Sequence, residues 1–147
     1  MNTVELNKLS EDLYNLFFYL HKKIIDPNEI AKNFSIPPSH VKAIIYLRHN
    51  GTSSISEIAK NLTISRPNMT PIIDKLIAEN MVKRCDDPND RRIIKIELTD
   101  KAHEFIKEQK EKIKIDLEKK ISSLNSEDLE ALSEHVVGIT DIILKIK

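Results

Sequence analysis

Apolar side chains recur at helical spacing over most of the chain and alternate over one short stretch. Leu6, Leu9, Leu13, Leu16/Phe17, Leu20 and Ile24 step by three or four residues, which puts them on one face of a helix. Pro27 ends that helix, and Asp26-Pro27-Asn28-Glu29 has the form of a new helix start with proline at the first position. A short helix to about Asn33 is expected there. Pro37-Pro38-Ser39 restarts the chain, and Val41, Ile44, Ile45 and Leu47 line a helix that ends at Asn50-Gly51. Gly51 can take the left-handed conformation that helix ends favour.

The next segment is the most structured in its patterning. Ser54-Ile55-Ser56-Glu57 fits a capping box, and Ile55, Ile58, Ala59 and Leu62 make the inner side of a two-turn helix. After the tight connection Thr63-Ile64, Ser65 can cap a second helix running to about Glu79. Its apolar face is Met69, Ile72, Ile73, Leu76 and Ile77, and its polar face offers Arg66, Asn68, Thr70, Asp74 and Lys75. Two short helices joined by such a turn make a helix-turn-helix. Pro71 lies inside the second helix, where it removes a backbone bond and is expected to kink or loosen the first turn. Val82 to Cys85 and Ile93 to Leu98 then read as strands joined by the charged loop Asp86-Asp87-Pro88-Asn89-Asp90-Arg91-Arg92. A hairpin in that place is the wing of a winged helix. Alternation predicts that Ile94, Ile96 and Leu98 face inward, with Lys95 and Glu97 in water.

Two further helices complete the pattern. Thr99-Asp100 can cap the first, with its stripe at Phe105/Ile106, Ile113, Leu117, Ile121 and Leu124. Ser126, followed by Glu127 and Asp128, starts the second. There Leu129, Leu132, Val136, Ile139, Ile143 and Ile146 step by alternate threes and fours, an a/d seam. Val137, Ile142 and Leu144 add more apolar surface than one contact face uses. The fold class expected is mainly α (α+β), a winged helix-turn-helix with N- and C-terminal helices forming a dimerisation region. Residues 1–147 are expected to form a single domain, with a winged-helix lobe, the candidate DNA-binding lobe, at residues 35–98 and helical dimerisation regions at 1–34 and 99–147.

Composition narrows the function. The 147 residues include only two glycines, Gly51 and Gly138, too few for a phosphate-cradling loop of the dinucleotide or P-loop kind. One cysteine, Cys85, makes neither an internal disulfide nor a Cys-rich zinc site and fits a reducing compartment. Met1-Asn2-Thr3-Val4-Glu5 lacks a secretory pattern, and Leu16 to Leu20 is too short to span a bilayer, so a cytoplasmic protein without membrane partners is expected. No nucleophile–base set is discernible, which argues against an enzyme, and no cofactor is expected.

The 23 basic and 23 acidic residues cancel overall, but not locally. Residues 1–34 carry a net −1, residues 35–98 a net +3 and residues 99–147 a net −2, and all five arginines lie in the middle segment. Arginine suits phosphate and guanine because its planar fork donates in pairs. Duplex DNA is therefore the expected partner. The second helix enters the major groove, where Ser65 and the free N–H groups near it suit a phosphate, Arg66 a guanine or phosphate, and Asn68 an adenine. Pro67, Thr70 and Lys75 of that helix, together with Ser54 and Arg84, are also expected to contact the DNA, and Arg91 and Arg92 at the wing tip suit a narrow minor groove. No aromatic residue lies between Tyr46 and Phe105, which argues against single-strand binding. The rival is a winged helix used as a protein-interaction adaptor, without DNA affinity.

These residues also carry a resemblance. Ile55-Ser56-Glu57-Ile58-Ala59, Ile64-Ser65-Arg66-Pro67-Asn68-Met69-Thr70, Ile73-Asp74-Lys75-Leu76, Asp87-Pro88-Asn89-Asp90-Arg91-Arg92 and Leu98-Thr99, in that order and spacing, resemble the MarR family of regulators. The resemblance implies a homodimer built from the terminal helices that binds a pseudo-palindromic operator, and family habit favours a repressor over an activator. By the same resemblance Ser65 to Thr70 open the recognition helix, Arg92 is the wing arginine, and Asp90 braces it. Where the family usually has Gly-Leu-Val before the first strand, this chain has Asn80-Met81-Val82, and asparagine is the next best residue for a left-handed helix end.

Dimerisation is expected to use Leu6, Leu9 and Leu13 with Leu129, Leu132, Val136, Ile139, Ile143 and Ile146, because so much apolar surface would otherwise be exposed. The resemblance further implies a crevice that admits a small aromatic or amphipathic effector. Tyr14, Phe17, Phe18, Tyr19 and Tyr46 could line one, although an aromatic stripe at this spacing is more often plain core. Cys85 reads as strand packing rather than a redox switch. The five histidines are scattered with no metal-binding pair.

Overall fold

A computed structural model describes residues 1–25, 32 and 35–147. The short helix expected at about 27–33 falls outside the described residues. The chain divides into two compact units, Asp26–Glu111 and Met1–Ile25 with Lys112–Lys147.

In the first of these units, helix α2 (Pro38–Asn50) starts on Pro38 and ends at Gly51. Gly51 has φ +74° as expected of a helix-ending glycine, but its ψ of −164° is not left-handed helical. The chain instead leaves in the mirror-extended conformation that is essentially restricted to glycine, and this sends it straight into a strand. That strand, β1 (Ser53–Ser54), is absent from the sequence expectation because two serines carry no strand signal. It pairs antiparallel with β3 (Ile94–Leu98), Ser53 opposite Ile96, while β2 (Val82–Asp86) pairs on the other side with Arg84 opposite Ile96. The sheet order is β1-β3-β2.

Helix α3 (Ile55–Asn61) begins with the expected capping box: Glu57 N–H donates to Ser54 Oγ at 3.2 Å, and Ser54 N–H to Glu57 Oε2 at 2.9 Å. Helix α4 (Arg66–Ala78) packs Met69, Ile73 and Leu76 into the core, fully buried as their spacing predicts. They meet Ala43, Ile44 and Leu47 of α2, Ile58 and Ala59 of α3, Met81 just before the sheet, Val82 and Ile96 within it, and Ala102 of α5 (Asp100–Ile121). Asn80 takes the left-handed conformation (φ 59°), with Asn80 N–H on Ile77 O and Met81 N–H on Leu76 O, both 2.9 Å. That is a complete Schellman end, so asparagine serves where glycine is usual. Thr99 caps α5, accepting Ala102 N–H at 3.2 Å, and its hydroxyl donates back to Asn80 O at 2.7 Å.

Pro71 does not break α4, which runs unbroken from Arg66 to Ala78. Met69 and Ile73 on either side of it are fully buried, so core packing holds the helix on course while the proline ring lies outside. Alternation in β3 holds in the middle and fails at the wing end. Ile96 is fully buried, but Ile94 is 47% exposed because the hairpin there extends beyond the core.

The other unit contains α1 (Thr3–Tyr19), the end of α5, and α6 (Ser126–Ile143). Asn2 and Glu5 form a capping box on α1. Beyond Tyr19 the helix widens into a π-type turn over Leu20–Ile24, with Ile25 N–H donating to Leu20 O at 2.7 Å. Helix α6 starts at Ser126, but Asn125 caps it, accepting Asp128 N–H at 2.8 Å. The helix stops at Ile143, so Ile146, expected as the last step of the seam, lies in a terminal turn. No helix among the described residues is long and apolar enough to cross a membrane.

Candidate nucleic-acid interface

The turn between α3 and α4 is built from backbone. Leu62 N–H donates to Ile58 O, Thr63 takes a positive φ of 55°, and Ile64 N–H returns to Ala59 O at 2.9 Å. Ser65 then occupies the N-cap position of α4 in an extended conformation, but its hydroxyl makes no capping bond, contrary to expectation. The reason is local. Pro67 at the second helical position has no N–H, and the next one, on Asn68, donates to the Ser65 carbonyl at 3.0 Å. Pro67 also leaves the helix end with fewer free N–H groups for a phosphate than the sequence pattern suggested, so the exposed Ser65 hydroxyl and the Arg66 side chain must supply the donors.

The wing is shaped by carboxylates. Asp87 accepts Asn89 N–H at 2.8 Å and lies 3.4 Å from Lys95 Nζ. The Asn89 N–H, with Lys95 assisting, holds its carboxyl below the ordinary value of 3.8. Asp90 accepts Arg92 N–H at 3.0 Å and Arg92 Nε at 3.2 Å, with the second carboxylate oxygen 3.4 Å from Nη2. On β2, Arg84 Nη2 meets Asp74 Oδ1 of α4 at 2.9 Å, and Lys83 pairs across the strands with Glu97 at 3.1 Å. Cys85 Sγ lies 3.6 Å from Lys95 O, and burial, aided by Glu97, pushes its thiol above the ordinary value of 9.0. A thiol held protonated is a poor nucleophile.

Between α4, the start of α3 and the wing runs a cleft of about 470 Å³ lined by Arg66, Arg84, Arg92, Ser54, Ser56, Ile55, Ile93 and Ile94. It brings together Ser54 and three of the arginines picked out in the sequence, from positions 18 and 8 residues apart. Two are partly neutralised, Arg84 by Asp74 and Arg92 by Asp90, while Arg66 has no carboxylate partner among the described residues. Pro67, Asn68 and Arg91 are exposed outside the cleft lining. Thr70 turns its hydroxyl back onto Arg66 O at 3.1 Å, and Lys75 lies 3.6 Å from Glu79. Sequence reasoning missed Ile55, Ser56, Ile93 and Ile94 as cleft residues, and Asp74 as the partner of Arg84. Only the fold brings Asp74 and Arg84 together. A cleft of convergent guanidinium and hydroxyl groups beside an exposed helix can hold the anionic backbone of a nucleic acid.

Residues 36–94, which contain most of this surface, match the model of the MarR family. Those residues are a MarR-family segment. The chain is 33% identical over 99 residues to the transcriptional repressor MprA of Escherichia coli, a match covering 65% of this chain and 56% of MprA. It spans under two thirds of the length of MprA and of the Bacillus subtilis regulator YfiV, to which it is 30% identical over 94 residues. Among solved structures it resembles the transcriptional regulator Tm0710 of Thermotoga maritima, with 19% identity, TM-score 0.77, and 95% and 96% of the two chains covered. It also resembles a mutant of S. aureus MepR solved bound to an oligodeoxyribonucleotide, with 17% identity, TM-score 0.66, and 88% and 96% covered. The curated relatives of this segment are transcriptional regulators by name, and the chain shares its fold with a MarR family protein of Bacillus stearothermophilus, with 21% identity, TM-score 0.63, and 99% of both chains covered.

The residues expected at a MarR-type dimer contact lie in the other unit. Leu6, Leu9 and Leu13 on α1 are exposed, as are Val136, Ile139 and Ile143 on α6 and Ile146 after it, while Leu129 and Leu132 are half-buried. The aromatics of α1, for which plain core is the more usual of two readings, are all more than half exposed in this chain: Tyr14, Phe17, Phe18 and Tyr19. Phe17 stacks on His21 with ring centroids 5.8 Å apart. Among the described residues, no group of three or more His, Cys, Asp or Glu side chains is placed to hold a metal ion.

Proposed function

We infer that this chain is a sequence-specific duplex-DNA-binding transcriptional regulator, acting in the cytoplasm as a homodimeric repressor on a pseudo-palindromic operator. The observation that carries the reading is the convergence of Arg66, Arg84 and Arg92 on one cleft beside the exposed face of α4. In this reading α4 enters the major groove. Ser54, Ser65 and Arg84 meet backbone phosphates, Arg66 and Asn68 reach base edges, and Pro67, Thr70 and Lys75 complete the docked surface. Arg91 and Arg92 follow the minor groove at the wing, with Asp90 fixing the Arg92 fork. Residues 35–98 are the reading lobe, and residues 1–34 and 99–147 join the two copies.

The many exposed apolar side chains of α1 and α6 support the dimer, since large exposed apolar surface marks an interface. A two-fold axis would also set two recognition helices about one DNA turn apart. Release by a small aromatic or amphipathic effector belongs to the same reading, with the α1 aromatics its candidate contacts.

Fluorescence anisotropy with duplex DNA across a salt series tests the DNA reading. Affinity falling steeply and linearly with log salt is the expected result. No binding at any salt overturns it in favour of the protein-interaction adaptor. A folded monomer at micromolar concentration in sedimentation would overturn the dimer.

A further inference from the structure

Resting on the DNA-binding reading, we propose that Pro67 and Pro71 read thymine, packing their rings against a thymine C5-methyl group in each operator half-site. Along α4 the positions farthest from the core are Pro67, Pro71, Asp74 and Ala78, which follow one another at four, three and four residues. They lie roughly 130–175° round the helix from the mean direction of the buried Met69, Ile73 and Leu76, and all four are exposed. This is the face a groove would meet first.

That face offers almost nothing to hydrogen-bond a base. Neither proline has an N–H, and each presents a ring of CH groups. Thr70, beside them, has its hydroxyl turned onto Arg66 O at 3.1 Å. Asp74, the one polar residue on the face, is held by Arg84 Nη2 at 2.9 Å, which also neutralises a carboxylate that would otherwise repel DNA. A cytosine N4 amino group set against the proline rings would lose its water and gain no acceptor. A thymine methyl loses no hydrogen bond there and gains an apolar contact, which is how apolar side chains recognise thymine in the major groove. Arg66, next to Pro67 in the chain, and Arg84, paired with Asp74 of this same face, supply the charge that draws the phosphates in.

The experiment begins with bound sites selected from random duplex DNA. Each thymine of the selected site is then replaced by deoxyuridine, which removes the methyl group and nothing else. One A·T pair per half-site is expected whose substitution weakens binding roughly fourfold, or roughly fifteenfold when both half-sites are substituted, the loss expected for one buried methyl each. In the Pro67→Ser, Pro71→Ser double variant the thymine-to-uracil ratio is expected to fall below twofold while the salt dependence is unchanged. Should that variant fail to fold, the thymine–uracil comparison on the unaltered protein decides alone. If every deoxyuridine substitution leaves affinity within twofold, the proposal is overturned while DNA binding stands. A chain that binds no DNA at any salt overturns both, so the two failures are distinguishable.

Discussion

Removing Arg92 isolates the wing from the fold. Its side chain is 91% exposed, and its two side-chain bonds reach only Asp90, two residues away. The Arg92 N–H to Asp90 Oδ1 bond, which shapes the turn, belongs to the backbone and survives substitution. Arg92→Ala should therefore change folding stability by no more than about 0.5 kcal/mol, as is usual for an exposed site. Binding is another matter, because a groove contact by arginine is worth about 1–3 kcal/mol and a dimer loses two. The expected cost is about 2–6 kcal/mol, roughly thirty-fold to twenty-five-thousand-fold in Kd. If each arginine also displaces a counterion, the slope of log K against log salt becomes shallower by about 1.8 per dimer. Fluorescence anisotropy on the selected operator at several salt concentrations measures both quantities, with thermal unfolding as the control. Affinity within twofold of the parent at matched salt, together with an unchanged slope, would refute the wing assignment.

Other outcomes follow from the same geometry. Asn80→Ala should cost about 1 kcal/mol in urea unfolding, because alanine is strained at the φ of 59° that asparagine tolerates, whereas Asn80→Gly should cost nothing. Because Asp87 ionises more readily when folded, its stabilising contribution is complete above its ordinary value of 3.8 and is lost as pH falls through the lower folded value. Asp87→Asn should consequently lose less stability than the parent between pH 7 and pH 3, and equal losses would contradict the wing geometry. Ile139→Glu, on the exposed face of α6, should shift the protein toward monomer in sedimentation without unfolding Asp26–Glu111, as judged by its core amide exchange.

Local chemistry was legible directly in the order of residues. The 3.6-residue period of Met69, Ile73 and Leu76, the Ser54–Glu57 box and the left-handed Asn80 each depend on neighbours within a few positions, and each stands in the structure as the pattern predicts. The family resemblance was legible for the same reason, because its motifs are short runs at fixed spacing. What failed was what depended on context. Ser65 makes no side-chain cap because Pro67 removes a donor, and Pro71 leaves α4 intact because buried neighbours on both sides hold it. Ile94 has the alternation of a core strand but lies past the edge of the core.

By itself, then, the sequence determined the helix-turn-helix, the hairpin, the caps that bound them and the gathering of all five arginines in one segment. Periodicity and capping are local, so they survive without knowledge of the fold. The tertiary structure alone decided which of those arginines share a cleft, that Asp74 restrains Arg84, and that two prolines face outward from α4. It also decided that the aromatics of α1 are exposed rather than core. Each of these is a relation between residues distant in sequence or a choice of which face is covered, and only the packing of one element on another sets that.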